Sequence, residues 1–276
     1  MPDRHEAAWH LADRFPVEHF GVAAIDRNGI HTHGDVERVQ RIASVSKPLA
    51  AWATLVAVEE GSVSLDDQVG QEDCTLRHLL AHAGGYPFFG DEPVGKPGAK
   101  RIYSNTGYDM VAAHVESATG IPFPDYLSEA VFQPLGMSAS HLDGSCAKDV
   151  HSNVTDLVQF LHELRLPSLI SRDTYLDAVT PVFPELDGVL PGVGQMNPCP
   201  WGLGVEIRGH KFPHWTSAHN SAATFGHFGG IGTFLWVDPV ADVACVMLAE
   251  REFDEWGMEH WPGFNSAILQ SARRDN

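Results

Sequence analysis

An α+β fold is what this sequence predicts, on three observations. Strand-type runs stand near both ends, at residues 21–25 and again at 201–207, 233–238 and 243–248. The stretch between them reads as helix and loop. The C-terminal runs are short and separated by turn residues, the pattern of an antiparallel meander. The expected architecture is therefore one antiparallel sheet flanked by terminal helices with a helical lobe inserted into it. Residues 1–61 and 195–276 form the discontinuous sheet lobe and 62–194 the helical lobe, and the two make one catalytic unit.

Taken in order, residues 4–15 read as a short amphipathic helix. A strand follows at Gly21-Val-Ala-Ala-Ile25, and Asp26-Arg27-Asn28-Gly29 is a strong hairpin turn signal. The return strand carries His31-Thr32-His33. Two His at i, i+2 on a strand share one face and could hold a metal. A metal-binding hydrolase motif would need another His where Val36 stands, so the expectation is two exposed hairpin histidines and no metal.

The segment Arg41-Ile-Ala-Ser44-Val-Ser46-Lys47-Pro48 places a hydroxyl and an amine three residues apart at the start of an apolar run without Pro or Gly from Leu49 to Glu60. Positions i and i+3 lie on one helix face, so the Lys47 amine can reach the Ser44 oxygen. A serine needs such a neighbour, because a free hydroxyl must lose its proton as it attacks. Lys47 could act as the base if burial lowers its pKa. Pro48 requires the helix to begin at about Ser44 or Val45, where N–H groups have no intrahelical partner, and Gly61 is its C-cap.

Spacing alone is weak, since 17 Ser and 5 Lys in 276 residues give roughly 0.3 chance matches to Ser-x-x-Lys. A second match, Ser145-Cys146-Ala147-Lys148, sits in a turn-rich segment and is read as solvated loop.

Further along, residues 75–82 make a short capped helix whose His78 and His82 are spaced i, i+4 and are read as packing residues. Residues 84–100 hold five Gly and three Pro, a loop long enough to border a site. It delivers Tyr103-Ser104-Asn105 to the helix 110–119. There a phenol can shuttle a proton and an amide can hold both lysine and substrate. Helices are expected at 153–164 and 264–273. Between them runs Phe225-Gly226-His227-Phe228-Gly229-Gly230, a strand whose glycines mark a close approach.

The formal net charge is −18, from 36 acidic and 18 basic residues, which argues against nucleic acid or an anionic membrane as partner. A hydrophobic content of 43% excludes a disordered chain. The four cysteines, far apart and without a Cys-x-x-Cys pair, are read as free thiols. With no apolar run in the first residues or of membrane-spanning length, a cytoplasmic location is expected.

Three motifs in fixed order resemble the serine β-lactamase and penicillin-binding protein superfamily, in particular its branch of class C β-lactamases, DD-peptidases and family VIII carboxylesterases. They are Ser44-x-x-Lys47, Tyr103-Ser-Asn105 and His227-Phe-Gly229, the last where the family has Lys-Thr-Gly or His-x-Gly. Thr75-Leu-Arg-His-Leu-Leu-Ala-His82, Pro134-Leu-Gly-Met137 and Trp236-Val-Asp-Pro239 are similar to family segments as well, so the likeness covers about residues 17–272. The resemblance implies Ser44 as the acylated nucleophile, with Lys47 and Tyr103 as the general base pair. It implies substrate contacts from Asn105, His227, Phe228, Gly229 and Gly230, with the Ser44 and Gly230 N–H groups as the oxyanion hole. No cofactor and no metal are implied.

One departure bears on the substrate. His227 and Phe228 stand where penicillin-specific members use Lys and Thr to hold a carboxylate. Phe cannot donate a hydrogen bond, and neutral His is a weaker anion anchor than Lys. The expectation is a serine hydrolase that forms an acyl-enzyme from a small ester or amide. The alternatives are a β-lactamase or D-amino-acid peptidase, and a non-catalytic binding protein on the same fold. The partner expected is a small ester, amide or β-lactam; oligomeric state is left open.

Overall fold

The computed structural model describes residues 4–273. Helix α1 (Glu6–Ala12) leads to a hairpin of β1 (Phe20–Asp26) and β2 (Gly29–Gly34), and short β3 (Gln40–Arg41) follows. Asp26 pairs with Gly29 around Arg27-Asn28, and its carboxylate accepts the Asn28 N–H at 2.7 Å, which closes the turn. A 3₁₀ turn at Ala43–Val45 then feeds α2 (Ser46–Glu59).

The middle of the chain holds α3 (Leu76–Leu80), α4 (Asn105–Thr119), α5 (Phe123–Leu127) and α6 (Gln133–Leu135). Two short strands, β4 (His141–Leu142) and β5 (Val150–Ser152), precede α7 (Val154–Arg165) and α8 (Arg172–Val179). The hairpin β6 (Gly188–Leu190) and β7 (Gly194–Met196) comes next. The chain ends with β8 (Glu206–Ile207), β9 (Phe225–Gly229), β10 (Thr233–Asp238), β11 (Val243–Ala249) and α9 (Glu255–Arg273).

The six-stranded sheet runs β2-β1-β11-β10-β9-β8 with every neighbour antiparallel, so strands from the two ends of the chain meet at β1 and β11. The fold is α+β, as the strand runs at both ends predict. Alternation splits these strands between two cores. Ala23, Ile25, Leu235, Val237, Ala244 and Val246 pack with Leu49 and Trp52 of α2 and Phe160 of α7. Val22, Ala24, Phe234, Trp236, Cys245 and Met247 face Trp9 of α1 and Trp261, Phe264 and Ile268 of α9. Burial on both faces explains why these strands read as unbroken apolar runs, and each large side chain so buried contributes about 1.5–3 kcal/mol.

Helix α2 forms where Ala, Leu and Val succeed one another without a breaker. Pro48 is its third residue, where the missing N–H costs no hydrogen bond, and Gly61, at φ +73°, follows its end. The helix begins at Ser46, later than Pro48 suggested, because residues 43–45 first make a tighter turn. Helix α9 is nine residues longer at its start than expected, since Gly257, Pro262 and Gly263 read as breakers. Buried Trp256, Trp261 and Phe264 hold it continuous through Pro262. Strands β3 to β7 are too short to show a period in sequence. Among the described residues, no helix is long and apolar enough to cross a membrane.

Candidate active site

Ser44 lies in the turn that delivers α2, and the residue before it is strained. Ala43 has φ +48°, a left-handed conformation that side-chain residues rarely adopt. Three hydrogen bonds hold it there. The Ile42 N–H donates to the Val150 carbonyl at 2.9 Å, Thr233 Oγ1 donates to the Ile42 carbonyl at 2.8 Å, and Ser46 Oγ donates to the Ala43 carbonyl at 2.6 Å. Strand β9 passes close to this turn: a Cβ on Gly229 would sit 2.3 Å from Thr233 Oγ1 and 2.8 Å from the Ile42 carbonyl oxygen. Only glycine fits, and the chain then emerges at Gly230 beside Ser44.

Lys47, the second residue of α2, is completely buried. Its Nζ donates to Asn105 Oδ1 at 2.6 Å and to the Ala147 carbonyl at 2.9 Å, and stands 3.5 Å from Ser44 Oγ. Burial pulls its pKa down to about 7, while Cys146 and Asp109 act the other way. An ammonium has three N–H donors, and a neutral amine has two and a lone pair. With two donors taken by the carbonyl oxygens of Asn105 and Ala147, loss of the third proton leaves the lone pair for Ser44. The geometry can therefore support general-base chemistry at that hydroxyl.

Asn105 opens α4, where Ser104 is the N-cap, its Oγ accepting the Gly107 N–H at 2.8 Å. The cap fixes the chain direction that sets Tyr103 and Asn105 on either side of Lys47, whose Nζ is 4.6 Å from the Tyr103 ring centroid. The Tyr103 phenol is pushed above its usual range by burial, with a hydrogen bond to Ser44 acting in the opposite sense. Its oxygen is also 3.4 Å from His227 Nε2. His227 Nδ1 donates to the Phe228 carbonyl at 2.7 Å, which leaves Nε2 as an acceptor. Burial, and then the nearby Lys47 charge, lower the His227 pKa to about 3, so its imidazole is neutral.

The pocket over Ser44 has a volume of about 160 Å³ and is walled by Phe88, Tyr103, Leu190, Trp201, His227, Phe228 and Phe253, with Gly230 at its edge. No Lys, Arg, Asp or Glu side chain lines it among the described residues. Of the predicted site residues, Ser44, Tyr103, His227, Phe228 and Gly230 border the pocket, whereas Lys47, Asn105 and Gly229 stand behind its wall. A larger open cleft of about 640 Å³ between α4 and residues 142–146 contains none of them. Its rim, Ser145 and Cys146, belongs to the segment that holds Lys47 from behind.

That segment corrects one expectation. Ser145-Cys146-Ala147-Lys148 is no solvated loop: Cys146 and Ala147 are buried, and the Ala147 carbonyl is a Lys47 partner. A main-chain acceptor leaves no side-chain signature. His82 was missed as a site neighbour too. Held at φ +55°, it places its ring 4.4 Å from that of Tyr103 and 4.7 Å from that of Trp201, and its Nδ1 accepts the Ser104 N–H at 3.1 Å. Burial, then Lys47, keeps it neutral. His78, four residues earlier, serves another purpose: its side chain completes the cap of α3.

The hairpin histidines are not simply exposed. His33 Nε2 lies 2.6 Å from Asp13 Oδ1 and its ring stacks on Trp9 at 5.5 Å. His31 Nε2 lies 3.4 Å from Asp26 Oδ1, and His5 Nε2 3.3 Å from Asp26 Oδ2. His5, Asp26 and His31 each offer one ligand atom within 4.8 Å of the other two, on the sheet edge opposite to β8 and four strands from β9. Next to β9, Glu206 is buried with Lys211 Nζ at 2.7 Å, His214 Nε2 at 2.9 Å and the donating Trp215 Nε1 at 2.6 Å.

Comparison with known proteins places the chain in a family. A beta-lactamase from Mycobacterium bovis is 46% identical in sequence, and its superposition covers 96% of this chain and 99% of that one with a TM-score of 0.94. Penicillin-binding protein 4* of Bacillus subtilis is 28% identical over 37% of this chain and 30% of its own. A putative D-alanyl-D-alanine carboxypeptidase of Salmonella heidelberg is 24% identical over 56% of this chain and 46% of its own. The chain thus spans less than half the length of these two curated relatives. The family model described as Beta-lactamase matches residues 13–265, most of the sequence, and the chain belongs to that family.

Proposed function

We propose that the chain is a serine hydrolase that acts on a small ester or amide through an acyl-enzyme on Ser44. The observation that carries this reading is the Lys47 amine, buried, lowered to a pKa of about 7 and held by two carbonyl oxygens with Ser44 as its third neighbour. In this reading Ser44 Oγ attacks the substrate carbonyl and passes its proton to Lys47, with Tyr103 as the relay that returns it to the leaving group. The Ser44 and Gly230 N–H groups receive the developing oxyanion, each donor worth about 3–4 kcal/mol at the transition state. Water then attacks the acyl-enzyme by the same route in reverse. No cofactor takes part in these steps.

The substrate is uncharged next to its reacting carbonyl, because the pocket wall offers no cation and His227 is neutral. Free, well-buried cysteines are consistent with a reducing compartment, and a cytoplasmic location is part of the reading. Treatment with a fluorophosphonate followed by intact mass measurement should show one adduct at Ser44. Ser44→Ala should lose at least about 1,000-fold in kcat/KM on p-nitrophenyl acetate. Unchanged turnover in that variant would overturn the proposal, whereas a wild-type protein with neither adduct nor turnover would favour a non-catalytic binding protein.

The identity of 46% to a protein named a beta-lactamase favours a second reading, a β-lactamase or D-amino-acid peptidase. Nitrocefin, a D-Ala-D-Ala peptide and a short-chain ester separate the two. Turnover of either of the first two above the ester would replace the leading reading.

A further inference from the structure

A second hollow of about 480 Å³ adjoins the Ser44 pocket and shares three wall residues with it, Phe88, Tyr103 and Pro191. The partition between them is the hairpin strand β6, where alternation turns Leu190 into the pocket and Val189 into the neighbouring groove. Most of the groove's remaining exposed surface is apolar, from Pro87, Val94 and Ile102, while Lys100, Arg101, Asp187 and Gln195 also line it. Its rim is also unusually exposed. Phe88, Val94 and Val189 line it, and Phe89 packs edge-on against Phe88 at 4.6 Å; the four are 44–65% exposed and make up four of the ten large apolar side chains so exposed among the described residues. Scattered singly, such residues need no explanation, but four at the mouth of one site do.

Size gives the same direction. A pocket of about 160 Å³ is small beside the 300–1,000 Å³ of typical ligand sites, and pocket and groove together fall within that range. A substrate with more than a few atoms beyond its reacting carbonyl must extend past Phe88 and Pro191. What lies there is mostly apolar surface.

We infer that the groove along Phe88, Val94, Ile102 and Val189 is a subsite for a linear hydrocarbon chain, which makes the substrate a lipophilic ester with the chain on one side of the scissile bond. This rests on the hydrolase reading above. Burial of the chain removes the exposed Phe and Val surface from water, at about 0.8 kcal/mol per buried methylene, or roughly a factor of four.

The test is a chain-length series in two arms: p-nitrophenyl esters from acetate to dodecanoate, and alkyl acetates from ethyl to octyl. In the arm that matches the chain's side, kcat/KM should rise at least tenfold from the two-carbon to the eight-carbon member. In Val189→Asp, and independently in Val94→Asp, the ratio of eight-carbon to two-carbon kcat/KM should fall at least fivefold with the melting temperature retained. A flat or falling profile in both arms, or a ratio untouched by both variants, overturns the subsite. A Ser44→Ala variant run alongside keeps the outcomes distinct. Loss of all turnover in that variant with a flat profile refutes only the subsite, while full turnover refutes the hydrolase reading itself.

Discussion

The Ala147 carbonyl accepts a hydrogen bond from Lys47 Nζ at 2.9 Å, so the segment that repeats the Ser-x-x-Lys spacing without an active serine holds the lysine of the first. Together with Asn105 it leaves Lys47 one direction in which to exchange a proton, toward Ser44.

Activity should accordingly follow the deprotonation of Lys47. Its pKa in the folded protein is about 7, so kcat/KM on a neutral ester should rise with pH through about 7 and then level off. Lys47→Arg, charged at all accessible pH, should be inactive. Folding stability carries the same signature. The folded pKa is below the unfolded value of 10.5, so between about pH 7 and 10.5 the unfolded chain binds more protons and stability rises with pH. Urea unfolding of wild type and Lys47→Met at pH 7 and pH 9 checks this: the gain from pH 7 to 9 should be smaller in the variant.

His82 should matter through position. It is neutral, stacks on Tyr103 and accepts the Ser104 N–H, so His82→Ala removes the support under the phenol and leaves a buried N–H without its acceptor. A 10- to 100-fold fall in kcat is expected, with stability lower by about 2–4 kcal/mol. The pH midpoint near 7 should stay in place, because His82 does not titrate there. Steady-state kinetics across pH reads both.

The candidate site residues were legible in the sequence because each sits in or beside an element with its own signal. Ser44 and Lys47 stand before an unbroken apolar helix, Tyr103 and Asn105 flank a serine N-cap, and His227 lies on a strand rich in glycine. The sheet was legible for the same reason, since two apolar faces leave long Val- and Ala-rich runs. What escaped depends on contacts that side-chain identity does not encode. The Ala147 carbonyl acts through its main chain, His82 through ring stacking, and Asp26 draws in His5 and His31 from separate elements. Helix α9 escaped because packing of its tryptophans outweighs the local cost of Pro262.

Two neighbouring glycines should respond differently to a methyl group. At Gly229 a Cβ would press on the Ile42 carbonyl and Thr233 Oγ1, whereas at Gly230 nothing lies within 4 Å. Gly229→Ala should therefore cost about 1–3 kcal/mol by overpacking, and it should also disturb the turn before Ser44. Gly230→Ala should leave the unfolding free energy within about 0.5 kcal/mol of wild type. Thermal and denaturant unfolding of the two variants, side by side, measures the contrast.

The four cysteines, all free and buried, should be silent to thiol reagents in the native state. Burial raises the Cys74 pKa to about 11 and pushes the other three thiols up as well, which leaves little thiolate at pH 8. Titration with an aromatic disulfide reagent should count no fast thiol in buffer and four in denaturant. A fast native thiol would show that one of these sites opens readily.

Glu206 should be the most costly single charge to remove. Burial alone would raise its carboxyl pKa, but Lys211 and then His214 more than offset that and hold it well below the usual carboxylate range. Its oxygens face Lys211 Nζ, His214 Nε2 and Trp215 Nε1, all of them buried. Glu206→Gln leaves the buried Lys211 without a charge partner and turns an amide NH2 toward either Lys211 and His214 or the Trp215 N–H, and should destabilise by about 3–5 kcal/mol at pH 7. Since the folded pKa lies below the unfolded one, this stabilisation is present above about pH 4.5 and is lost as pH falls. The double variant Glu206→Gln, Lys211→Met removes both charges and should be more stable than the Glu206→Gln single variant. A double variant no more stable than that single one would mean that Glu206 acts through Trp215 and His214, and the ion pair is not the source of the cost.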